Sequence, residues 1–147
     1  AVFMASGDGV PPALRRTISR FHSLPTTVVL LTVVLEPAPR VSDAQRVKNI
    51  VPLGKGFHRL TLHYGFIEEP DVHGDVAAAL PRMGIPTPES ELVYVIGRET
   101  FIAGGGGRMG AVSEGFFAFL SRNARSATDY FRLPPDQVVE VGAQIDL

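Results

Sequence analysis

The chain has 147 residues, 45% of them hydrophobic, and its 14 basic and 15 acidic side chains leave a formal net charge of −1. That length suits one domain with a single core, and the balanced charge recommends neither a nucleic-acid partner nor a disordered acidic arm. Cysteine is absent, which excludes disulfides, thiolate metal ligands and a cysteine nucleophile and suits a reducing cytoplasm.

In chain order, Ala1–Ala5 reads as the interior of a short strand, with no charged lead or cleavage pattern of a signal peptide, as if excised from something longer. Ser6-Gly7-Asp8-Gly9 is a turn. Pro11 and Pro12 suit the first turn of a helix, which carries Leu14, Ile18 and Phe21 at helical spacing and is expected to close at Pro25. Val28–Leu35 is apolar throughout, as in a strand covered on both faces, and is too short to cross roughly 30 Å of hydrocarbon. Strand, helix and strand predict a parallel pair.

Pro37 and Pro39 mark a loop. Arg46–Leu53 and Phe57–Phe66 form a hairpin around Gly54-Lys55-Gly56, with Leu60, Leu62, Tyr64 and Phe66 on a packed face and Arg59, Thr61 and His63 on a wetter one. Asp71 caps a helix bearing Val72, Val76 and Leu80, which Pro81 should end. Leu92–Ile96 is a buried strand, and Gly104–Gly107 a loop. Val112, Phe116, Phe119, Leu120 and Asn123 trace a further helix before the Pro134-Pro135 turn. A strand of alternating pattern, Val138–Leu147, closes the chain. The expected fold is a single α/β domain over residues 1–147. It has a mixed sheet with a parallel β-α-β start, a central hairpin and flanking helices.

Little of this carries catalytic chemistry. Gly7-Asp8-Gly9 precedes a helix, but Pro12 stands where a dinucleotide fingerprint needs glycine, and no Gly-Lys-Ser/Thr completes a phosphate loop. A plain turn competes there with an anion or nucleotide contact at a strand end. His58 and His63 are an odd number apart on one strand and face opposite sides, so no metal site is expected. Glu68 and Glu69, beside Pro70 and Asp71, read as a solvated turn and helix cap rather than a paired-carboxylate site. There is no G-x-S-x-G elbow and no S-x-x-K. Arg98 follows a buried strand and either holds an anion or pairs with Glu99 or Glu114.

Three ordered blocks resemble a known family: RLTLHYGFIEEPDV (Arg59–Val72), GRET (Gly97–Thr100) and FAFLSRNARSATDYFRLPPDQVVEVGAQ (Phe117–Gln144). Together with AVFMASGDGVPPAL at the start, they resemble the C-terminal cytoplasmic domain of Kup-family potassium uptake transporters. The resemblance implies a tail that follows a multi-helix membrane domain, regulates or assembles a potassium–proton symporter, and is not an enzyme. It implies no cofactor, and as partners the membrane domain of the same transporter and a second copy in a homodimer. It also implies a site on the cytoplasmic side of the inner (plasma) membrane. The alternative is a sensor of cyclic di-AMP or an adenine nucleotide, with Ser6, Asp8, Gly9 and Arg98 as its candidate ligand-binding residues.

Overall fold

A computed structural model describes residues 1–5, 9–97 and 127–142. The opening run forms β1 (Val2–Ala5), with every side chain buried. Helix α1 (Pro12–Phe21) starts with Pro12 at a position that needs no N–H donor. It ends before Pro25, at His22, whose left-handed backbone (φ 53°) lets its N–H reach Ile18 O at 2.9 Å. β2 (Val28–Glu36) pairs in parallel with β1 on one side. Its other neighbour is β4 (Phe57–Gly65), also parallel.

A single turn of helix, α2 (Asp43–Arg46), precedes β3 (Val47–Gly54), which pairs antiparallel with β4 as the hairpin pattern requires. In the connecting turn Gly56 has φ +82°, and a Cβ there would lie 2.2 Å from Thr26 O, so only glycine fits. α3 (Val72–Ala79) is capped by Asp71, whose carboxylate accepts from Gly74 N at 3.2 Å. The α-helix ends at Ala79, just ahead of Pro81 as expected, and Pro81 sits in the first turn of a 3-10 segment, Leu80–Met83, that follows α3 and closes at Gly84 (φ 70°). β5 (Tyr94–Gly97) begins after Leu92, and α4 (Ala127–Tyr130) and a short 3-10 turn lead into β6 (Val138–Val141), parallel to β5.

Among the described residues six strands lie in the order β3-β4-β2-β1-β5-β6, with β3 the antiparallel member. This is the mixed α/β sheet with a parallel start and central hairpin that the pattern predicts. On one face, Leu31, Leu60, Leu62 and Tyr64 pack under Val72, Val76 and Ala79 of α3, with Phe131 and Leu133. On the other, Phe3, Val28, Leu30 and Val95 meet Ala13 and Leu14 of α1.

Three expected core positions are outside it. β4 stops at Gly65, so Phe66 leaves the alternation and is 59% exposed. Ile18 and Phe21 share the stripe of Leu14, yet α1 buries only Ala13 and Leu14 of its side chains, and Ile18 and Phe21 stay exposed. The expected loop at 104–107, the helix through Val112–Asn123 and the last residues of the closing strand lie outside the described residues.

Candidate functional site

The parallel strands read β4-β2-β1-β5-β6, so successive crossovers run one way from β1 and the other way from β5. The order therefore reverses between β1 and β5, which lie side by side with Phe3 opposite Val95. In open α/β sheets ligands bind outside the carboxyl ends of strands at such a reversal. Ala5 and Gly97 end these two strands, and the sequence candidates follow them directly. Ser6, Asp8 and Arg98 lie outside the described residues. Gly9 is exposed, has no left-handed φ and has open space where a Cβ would be. Neither its conformation nor its surroundings require glycine.

A dense polar cluster sits at the carboxyl end of β4. Arg46, from α2, forms a two-pronged pair with Glu68 (Nη2–Oε1 2.8 Å, Nη1–Oε2 3.2 Å). It also donates to Val41 O and His63 O, and its guanidinium lies 4.6 Å from the centre of the Tyr64 ring. Glu68 additionally accepts from Val41 N at 3.1 Å and Gly65 N at 2.5 Å. Tyr64 donates to Asp75 Oδ2 at 2.5 Å. The Arg46 hydrogen bonds hold the Glu68 carboxyl at about 2, against the opposing effect of its burial and with help from the two backbone N–H groups. Burial, then the Asp75 bond, pushes the Tyr64 phenol well above its ordinary range.

Glu68 is therefore no solvated turn residue: its side chain is 16% exposed and Arg46's is 13%. With both carboxylate oxygens occupied, the cluster is a clamp that ties the segment before β3 over the end of β4. Its members are scattered across separate elements, and no local pattern announces the pairing.

On the α1 face beyond that helix, His63 Nδ1 lies 2.5 Å from Glu36 Oε1. Lys48 Nζ reaches the same oxygen at 3.4 Å. His63 beside it, then Lys48, holds the Glu36 carboxyl below the usual carboxylate range. His63 Nε2 is buried without a hydrogen-bond partner. On the α3 face, His73 joins Tyr94 Oη (2.8 Å) and Glu89 (2.9 Å). It borders an open groove of about 460 Å³ with Arg132, Gln137, Pro134 and Pro135. Arg132 pairs there with Glu69. Among the described residues the histidine hydrogen bonds go to Glu36, Tyr94 and Glu89 rather than to a serine or threonine hydroxyl. No group of three metal-ligating side chains converges there either.

The family described as the K+ potassium transporter C-terminal domain matches residues 1–147. The chain belongs to this family. It is 41% identical over 148 residues to a probable potassium transport system protein Kup of Myxococcus xanthus, covering 100% of this chain and 22% of the relative. The corresponding Kup 1 protein of Syntrophobacter fumaroxidans is 43% identical over 149 residues, covering 99% of this chain and 22% of the relative. A Kup protein of Azoarcus sp. is 39% identical over 148 residues, covering 100% and 23%. The chain thus spans about a fifth of the length of these relatives, in a family of potassium transporters rather than enzymes. No solved structure matches it. Among the described residues no helix is long and apolar enough to cross a membrane.

Proposed function

We propose that this chain is the regulatory and assembly domain of a potassium–proton symporter, lying on the cytoplasmic side of the inner (plasma) membrane and modulating uptake by the membrane part. The observation that carries the reading is the whole-length match to a transporter C-terminal domain, in a chain that accounts for only 22% of its relatives. The polar clusters support it, because each spends its charges on holding elements together. A domain of this kind alters transport only by interacting differently with two transporter states. Deleting it from the full-length transporter is expected to change potassium uptake or its regulation while membrane insertion persists. Unchanged kinetics and regulation would rule the role out.

Homodimerisation belongs to the same proposal. The β3 edge carries Lys48, Pro52 and two register irregularities, devices that discourage edge-to-edge pairing. That leaves two surfaces on which the copies would meet: the sheet side of Arg59, Thr61 and His63, and the closing strand, β6, at the opposite edge, where Val139 is 49% exposed. Sedimentation of the chain over a concentration series measures this, and a monomer throughout removes it.

A second reading, a sensor of cyclic di-AMP or an adenine nucleotide, is favoured by the reversal of strand order between β1 and β5. Ser6, Asp8, Gly9 and Arg98 are its proposed contacts. Calorimetry with cyclic di-AMP, ATP and cyclic AMP tests it, and the absence of heat with all three excludes it.

A further inference from the structure

We propose that helix α1 and the adjoining hairpin turn form a docking surface for an anionic lipid bilayer. This rests on the transporter reading above.

The sequence of α1 contains Arg15, Arg16 and Arg20 and no acidic residue. Arg15 and Arg20 are exposed, and so are the apolar Ile18 at 41% and Phe21 at 74%, while Arg16 is half-buried and donates to Gly142 O at 3.3 Å. A basic helix with an apolar stripe is the pattern that lies in a headgroup layer, its arginines on lipid phosphates and its apolar residues at the acyl boundary. Exposure along the stripe grows from buried Leu14 through Ile18 to Phe21, so the apolar residues emerge at one end of the helix.

That end has a fixed place. α1 returns the chain from the carboxyl end of β1 to the start of β2, so Phe21 and His22 lie on the rim formed by the amino ends of the parallel strands. The hairpin turn reaches the same rim, since Val28 N donates to Gly56 O at 2.9 Å. The turn brings exposed Lys55 and, beside it, Leu53 at 46% exposure. Ala1 is there too, its carbonyl accepting from Val29 N at 2.9 Å.

The tether decides the occupant. Most of each relative's length lies outside this chain, and for a C-terminal domain that remainder is on the amino-terminal side. The connection to a membrane-embedded transporter therefore enters at Ala1, on the rim that presents Phe21, Leu53, Arg20 and Lys55. Among the described residues, Glu89, Glu91 and Asp136 precede β5 and β6 at the other end of this rim, and Glu89 is paired with His73 on the α3 face. The charge asymmetry tips the α1 side toward the bilayer.

The test is sedimentation of the 147-residue chain with phosphatidylglycerol/phosphatidylcholine vesicles against phosphatidylcholine alone. Binding is expected with the anionic vesicles and should weaken with salt. Arg15→Gln with Arg20→Gln should weaken it about 25-fold, at roughly fivefold per basic residue. Lysine at both positions should restore it. The chain has no tryptophan, so Phe21→Trp gives a single reporter whose emission should shift to the blue on anionic vesicles. Equal binding to neutral vesicles, indifference to loss of both arginines, or an unmoved emission from that single tryptophan would each overturn the proposal. So would capture by the detergent-solubilised membrane part of the transporter without binding to vesicles. Failure of vesicle binding while domain deletion still alters uptake removes this inference alone and leaves the regulatory role standing.

Discussion

Glu68 is the side chain on which the carboxyl end of β4 depends. It joins Arg46 of α2 to the backbone of Val41 and Gly65, so a neutral replacement leaves a partly buried guanidinium and two N–H groups short of an acceptor. Glu68→Ala is expected to cost about 2 kcal/mol in urea unfolding at pH 7. The pH dependence has a definite sign. The folded-state value near 2 lies below the ordinary 4.5, so the contribution is complete above about 4.5 and is lost as pH falls toward 2. The gap in unfolding free energy between wild type and Glu68→Gln should therefore narrow between pH 5 and pH 3. A constant gap would show that the charge is not what stabilises the clamp.

Glycines at this scale differ as sharply as carboxylates do. A Cβ on Gly65 would sit 2.2 Å from Pro39 O and 2.5 Å from Arg40 Cα, both backbone atoms, whereas one on Gly9 meets nothing within 4 Å. Gly65→Ala should lower stability by at least about 2 kcal/mol, because the loop over β4 has to move. Gly9→Ala should change it by less than about 0.5 kcal/mol. Thermal melts of the two variants compare them directly, and equal effects would contradict the close approach at Gly65.

Among the elements, those with strong local signals are legible in the sequence. Val28–Leu35 reads as a doubly covered strand, and its first half is one: Val28–Leu31 are buried and alternate between the two apolar clusters, whereas the residues from Thr32 on are half-buried. Asp71 reads as a cap and is one. The failures have long-range causes. Phe66 continues the alternation of β4 in sequence, but the strand ends where Pro39 crosses Gly65. Glu68 looks like a turn acid until α2 delivers Arg46 from a distant segment. Ile18 and Phe21 have core spacing on a helix that buries only its first turn, at Ala13 and Leu14. The reversal between β1 and β5 is equally invisible locally, since strand order is a property of the whole sheet. The Asp71 cap gives an element-scale prediction: Asp71→Ala should cost about 1 kcal/mol, and Asp71→Asn, which also caps, should recover most of it. Indistinguishable melting of the three proteins would mean that α3 is held by packing alone.

At the scale of the whole molecule, the sheet is the common wall of two apolar clusters, and β2 shows how tightly they are joined. Leu30 faces the cluster under α1 and its neighbour Leu31 the cluster under α3, with 4% and 0% of their surface exposed. Truncating either to alanine opens a cavity worth about 3 kcal/mol. In a domain of this size that corresponds to roughly 6–12 °C in melting temperature. Because the two residues are consecutive in one strand held between β1 and β4, neither cluster can open without disturbing the strand that supports its opposite. Both variants should therefore melt in one transition whose calorimetric and van't Hoff enthalpies agree. A Leu30→Ala protein that loses the α1 side first, in a separate low-temperature step, would show two independent folding units. Cooperativity also bears on the proposed regulatory role, since a signal that strained the α1 face would reach the α3 face through the same strands rather than dissipate in one layer.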